Sequence, residues 1–206
     1  MKKYRDHYFK QAKKDNYPAR SVYKLKEIDK KLRLLRPGLK VVDLGAAPGS
    51  WTLFAAQKTG PQGLVLSADL NPLSGDFPPQ VTFFQADVFA RGEAFSQALE
   101  DLGPFDILLS DMAPKTTGNK FTDQARSMDL AVEALALAEQ CLVQGGHCVI
   151  KIFMGPDVQS FTQDMRRVFT TVKNIKPQSS RAESKEVFLA GMGLKQAAQA
   201  RDTQEQ

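Results

Sequence analysis

The chain has 206 residues, 42% of them apolar, which suits one domain with a substantial core and excludes disorder throughout. Its net charge of +5 is uneven: residues 1–40 hold 14 Lys and Arg against 4 Asp and Glu, and the remainder holds 14 against 19. No apolar run reaches membrane length, and Cys141 and Cys148 show neither metal-ligand spacing nor a disulfide framework. They read as reduced, buried thiols of a cytoplasmic protein that uses no metal.

The N-terminal block sets Lys2, Lys3, Arg5, Lys10, Lys13, Lys14 and Arg20 among Tyr4, Tyr8, Phe9 and Tyr17. That mixture suits phosphate backbones and stacked bases; the plainer reading is a solvated helix face with aromatic anchors. Acidic Asp6 and Asp15 argue against a transit segment. Ser21 is the expected cap of a helix whose apolar face is Val22, Leu25, Ile28 and Leu32, stopped at Arg36-Pro37-Gly38. Residues 1–36 are thus expected as a basic arm and helix, 37–193 as the main domain, and 194–206 as a polar, disordered tail.

From there apolar runs alternate with helical patterns. Strands are expected at Lys40–Leu44, Leu64–Ala68, Val81–Ala86, Phe105–Ser110, His147–Phe153, Thr171–Lys176 and Val187–Met192. Helices are expected at Trp51–Lys58, Glu93–Asp101, Gln124–Leu142 and Asp157–Val168, the last capped by Asp157. The fold class is α/β: a Rossmann-like, mostly parallel seven-stranded sheet with helices on both faces.

The stretch Asp43-Leu-Gly-Ala-Ala-Pro-Gly-Ser-Trp51 reads as strand, loop and helix. Gly45 lacks a Cβ, which would let a ligand approach the backbone, and the following helix turns its amides to the same space. The spacing is not G-x-G-x-x-G, and Pro48 removes an amide, which disfavours NAD and FAD. Asp43, Asp69, Asp87, Asp111 and Lys151 each stand at or near a strand end, where an open parallel sheet gathers its ligand-binding groups. There Asp69 suits the hydroxyls of a ribose and Asp87 an adenine amino group. A lysine inside the apolar run Cys148–Phe153 is rare unless paired or functional. Asp111 is its expected neighbour, with Lys24 and Glu186 able to join them.

Five segments carry a resemblance: Ala19-Arg-Ser-Val-Tyr-Lys-Leu25, Asp43–Trp51, Ser110-Asp-Met-Ala-Pro114, Val149-Ile-Lys-Ile-Phe153 and Ser179–Glu186. In this order they resemble the FtsJ family of S-adenosylmethionine-dependent RNA 2′-O-ribose methyltransferases, from about residue 5 to 193. The resemblance implies a catalytic tetrad at Lys24, Asp111, Lys151 and Glu186, and cofactor contacts at Gly45, Pro48, Gly49, Trp51, Asp69, Asp87 and Asp111. It implies S-adenosyl-L-methionine as cofactor, and a monomer that methylates a uridine of large-subunit ribosomal RNA, within the large ribosomal subunit or free. Transfer RNA is the alternative target, because Ser-Val-Tyr before Lys24 also resembles transfer-RNA members; a non-catalytic RNA-binding assembly factor is the alternative class. Ser50 replaces a common second glycine, with little effect expected, and Lys115 adds a cation at the expected RNA entrance. Burial and Lys24 oppose the influence of Asp111 and Glu186 on Lys151, so the sequence leaves both base and orienter open to it.

Overall fold

The structure, a computed structural model, describes residues 2–181 and 183–196, and the side chains from His7 onward. Most of the expected tail lies outside the described residues. Two helices, α1 (Lys2–Lys14) and α2 (Val22–Leu32), precede the first strand. Then follow β1 (Lys40–Leu44), α3 (Ser50–Thr59), β2 (Leu64–Asp69), β3 (Val81–Gln85), α4 (Gly92–Leu102), β4 (Phe105–Ser110), α5 (Lys120–Cys141), β5 (Leu142–Phe153), α6 (Val158–Val168), β6 (Phe169–Ile175) and β7 (Glu186–Leu194). The strands form one sheet in the order β3-β2-β1-β4-β5-β7-β6. All neighbours are parallel except β7, which runs antiparallel to both β5 and β6.

Alternation along β1 decides which helices cover which face, because successive side chains of a strand point to opposite sides. Val41 joins Val65, Ile107, Leu109 and Val149 beneath Val22, Leu25 and Ile28 of α2 and Trp51, Phe54 and Ala55 of α3. Val42 and Leu44 join Leu66, Leu108 and Ile150 beneath Phe95 of α4, Ala131, Ala134 and Ala138 of α5, and Phe161 and Met165 of α6. The central strands are apolar on both sides and fully buried, whereas β3 and β6 at the sheet's edges are partly exposed. Both cysteines are free, and burial pushes each thiol up to about 12, which keeps them protonated. Among the described residues no helix is long and apolar enough to cross a membrane, and no cluster of His, Cys, Asp or Glu could hold a metal.

Four local expectations change. The basic arm is helical from Lys2 to Lys14. Neither Ser21 nor Asp157 caps its helix: both already have right-handed helical backbone, and neither side chain makes the capping bond. The cap that does form is Asn119, whose side chain accepts from the Thr122 amide and starts α5 at Lys120 instead of Gln124. Strand β5 begins at Leu142, directly after α5 and five residues before His147, with Gly145 at φ +81.

Candidate active site

The chain runs outward from β1 to β2 and β3, then returns to the other side of β1 with β4. Ligands gather at such a switch point, outside the carboxyl ends of the strands. The loops after β1 and β4 meet there, with the Asp111 amide donating to the Leu44 carbonyl at 3.2 Å. A cavity of about 290 Å³ opens at this place, lined by Gly45, Asp69, Asn71, Asp87, Asp111 and Met112 among others. A Cβ on Gly45 would lie 2.8 Å from the backbone of Met112, and Gly45 has φ +72, so the neighbouring loop itself demands the glycine. Gly49 is demanded likewise, by the Phe77 ring 2.3 Å from its would-be Cβ.

The acids of this wall are tied to their own loops. Asp69 Oδ2 accepts from the Ala47 amide at 3.0 Å, and Oδ1 from the Asn71 amide at 2.8 Å and its side-chain nitrogen at 3.2 Å. Asp87 Oδ1 accepts from the Phe89 amide at 2.9 Å. A carboxylate oxygen has two lone pairs, so Oδ1 of Asp69 is fully engaged and Oδ2 keeps one for a ligand. Beneath them Asp43 is wholly buried, accepting at Oδ2 from the Thr52 hydroxyl at 2.7 Å, while its Oδ1 has no partner among the described residues. Burial pushes its carboxyl up to about 7, partly offset by the Thr52 bond.

Lys24, Asp111, Lys151 and Glu186 come together although they lie on α2, directly after β4, near the end of β5 and at the start of β7. Lys151 Nζ, on a residue 6% exposed, meets Asp111 Oδ1 at 2.9 Å and donates to the Asp111 backbone carbonyl. Lys24 Nζ stands 3.9 Å from the same Oδ1 and 2.7 Å from Glu186 Oε1, which also accepts from the Ser180 hydroxyl at 2.9 Å. Two cations and two anions thus form one chain of contacts. Within it Asp111 lines the first cavity, and Lys24 and Glu186 line a second of about 380 Å³.

Of the expected cofactor contacts, Gly45, Asp69, Asp87 and Asp111 line the first cavity. Pro48 lines a different cavity, beside Lys13, Tyr17 and Phe77. Trp51 is 2% exposed; its indole donates to the Ser21 carbonyl at 2.9 Å and its ring lies 5.6 Å from that of Phe188. It therefore braces α2 and β7, the two elements that carry Lys24 and Glu186. Ser50 does more than its place at a helix start suggests. Its buried hydroxyl accepts from the Ala19 amide at 2.7 Å and donates to the Ala19 carbonyl at 3.1 Å, fixing the segment that leads into α2. Lys115 lines the first cavity, and so do Asn71 and Met112, which sequence reasoning missed. Their only signal was adjacency to Asp69 and Asp111.

The profile of the FtsJ-like methyltransferase family matches residues 17–194, nearly the whole of this scaffold. The chain belongs to that family. It is a methyltransferase. Among curated relatives it is 63% identical to the ribosomal RNA large subunit methyltransferase E of Oleidesulfovibrio alaskensis, over 95% of this chain and 94% of that one. It is 50% identical to the protein of the same name from Lawsonia intracellularis, over 95% and 98%. A solved structure of a ribosomal RNA methyltransferase from Plasmodium falciparum superposes with a TM-score of 0.76 at 26% identity, covering 86% of this chain and 98% of that one. The FtsJ-like scaffold thus accounts for the sheet order and for the place of the crevice.

Proposed function

We propose that this methyltransferase uses S-adenosylmethionine to methylate a ribose 2′-hydroxyl of large-subunit ribosomal RNA, with Lys24, Asp111, Lys151 and Glu186 at the reacting centre. The observation that carries this reading is the continuous ionic contact from Lys151 through Asp111 and Lys24 to Glu186, reaching from one cavity to the other. The names of the curated relatives support the choice of RNA.

The first cavity suits the cofactor: the free lone pair of Asp69 Oδ2 would accept a ribose hydroxyl, Asp87 would accept from an adenine amino group, and Met112 supplies apolar wall. S-adenosylmethionine, when bound, supplies the electrophilic sulfonium methyl. Lys151 Nζ stands 2.9 Å from Asp111 Oδ1 and donates to the Asp111 carbonyl, so Asp111 holds the nitrogen while a position on it stays open for the 2′-oxygen. There Lys151 would hold the oxygen in line and take its proton onto nitrogen as the oxygen–carbon bond forms and the methyl carbon–sulfur bond breaks. Asp111 fixes the nitrogen that does this. Lys24 and Glu186 bring the ribose up from the second cavity and keep the local charge balanced. The basic arm, with Lys13 lying over the Phe9 ring and Arg20 over the Tyr8 ring, supplies cations for the RNA backbone.

Methyl-labelled S-adenosylmethionine incubated with large-subunit RNA tests the reading. Alkaline hydrolysis should return the label in alkali-resistant dinucleotides, because a methylated 2′-oxygen cannot attack its phosphate, and the resistant nucleotide should be a uridine. Label leaving with the base, or no label in RNA, refutes the proposal. Preferential labelling of transfer RNA would move the target.

A further inference from the structure

Two residues that line the second cavity each carry a buried polar atom with no partner among the described residues. Arg20, just before α2, donates from Nη2 to the Ser179 carbonyl at 2.7 Å, and its guanidinium lies 5.4 Å from the centre of the Tyr8 ring. Its Nη1 is buried and has no partner among the described residues. Ser179, in the loop between β6 and β7, is 1% exposed. Its amide donates to Glu27 Oε1 at 2.9 Å, beside the Gln178 amide on Oε2, and its carbonyl takes the Arg20 bond, yet its hydroxyl is also without a partner. Both residues line the cavity that Lys24 and Glu186 share, and the exposed Arg181 and Glu183 stand at the same rim.

Buried donors left unused are unfavourable and uncommon. Arg20 and Glu27, on either side of Lys24, staple the loop to α2, so both unused groups are held in place rather than free to turn outward. A guanidinium nitrogen and a hydroxyl, on residues joined by the Arg20–Ser179 carbonyl bond and lining one cavity, can both donate to an anionic oxygen. The chemistry of the proposed substrate says which anion arrives there. A ribose 2′-hydroxyl sits next to the carbon bearing the 3′-phosphodiester, so a 2′-oxygen held at the tetrad brings a phosphate alongside. Lys24 is already committed to Glu186 and Arg181 stands exposed at the rim, so Arg20 is the cation inside the cavity for that phosphate.

We propose that Arg20 and Ser179 seat the RNA phosphodiester that adjoins the reacting ribose, a site that rests on the reading of the tetrad given above. Ser179→Ala removes only the unused hydroxyl. It should leave the melting temperature unchanged or raised, because a buried unsatisfied group is lost, and yet weaken RNA binding severalfold. Arg20→Gln should raise KM for RNA by roughly tenfold to hundredfold, with the loss falling mainly on KM. It should also lower the slope of log affinity against log salt by about one. Cofactor affinity, measured by calorimetry without RNA, should hold in both variants.

Direct binding of large-subunit RNA, measured beside methyl transfer, keeps the two readings apart. A wild type that binds RNA but transfers no methyl refutes the proposed activity, while the variants' binding still decides the seat. If both folded variants bind RNA with wild-type affinity and slope, the seat is refuted. It is refuted too if they lose S-adenosylmethionine instead, since the anion would then be the cofactor's carboxylate. Should Arg20→Gln fail to fold, Ser179→Ala alone decides.

Discussion

The two walls of the crevice are built on different principles. The first-cavity acids Asp69 and Asp87 bond to amides within a short stretch of chain or across one neighbouring loop, so each carboxylate is held by its own loop and keeps acceptor capacity for a ligand. The tetrad has little such local support beyond the Ser180 hydroxyl on Glu186. Lys151 and Glu186 are buried, and their charges are answered mainly by one another's partners on α2 and β4. A locally held acid can be removed at the cost of a loop and a ligand contact. Removing a member of a buried ionic chain strands a charge, which costs about 3–5 kcal/mol.

Lys151→Met should break this contrast most sharply. It keeps the packed stem and loses the nitrogen, so transfer at saturating cofactor and RNA should fall by roughly 10²–10⁴ or more. It also strands Asp111, so the melting temperature should drop. Adding Asp111→Asn should restore much of the stability but none of the activity. A folded Lys151→Met enzyme turning over near the wild-type rate between about pH 6 and 9 would remove Lys151 from the centre of the mechanism. Next in size is Asp69→Ala, expected to weaken S-adenosylmethionine binding by roughly tenfold to hundredfold through one charge-assisted bond, with stability little changed. Calorimetry reads it, and unchanged affinity would leave Asp69 as a loop brace alone.

The last effect, on stability alone, belongs to Asp43, under the first wall. Its folded carboxyl, near 7, lies above the ordinary 3.8, so the folded state holds this proton more tightly than the unfolded one. The group therefore costs stability progressively as pH rises from about 4 to 7, and the cost persists above that range. Asp43→Asn should melt higher than the wild type at pH 8, and the gap should close toward pH 4. Parallel melting curves across that range would show that Asp43 is stabilised as an anion instead.

Much of the sheet was legible because its central strands are short, apolar and fully buried; runs such as Val41-Val42 and Ile107–Leu109 can be little else between helical patterns. The tetrad was legible for a related reason: a lysine amid Cys148–Phe153 contradicts its surroundings, and strand ends converge. What stayed hidden depends on distant partners. Nothing around Glu27 announces that its carboxylate will receive two amides from beyond β6, and nothing around Trp51 shows that Phe188 will face its ring. The misread caps at Ser21 and Asp157 carry suitable residue types on backbone that had already turned helical. Asn119 was overlooked in a stretch read only as loop.

Strand β7 carries Glu186 and lies between β5 and β6, paired to both, although it follows both in the chain. Until it emerges, β5 and β6 have no common neighbour, and each presents an open edge on which stray strands can add. The same late strand completes the tetrad. A chain still being synthesised can therefore assemble the first cavity, all of whose residues lie before β5, well before it can assemble the centre that would act on RNA. Completion of the four-residue cluster and closure of the sheet arrive together, with β7.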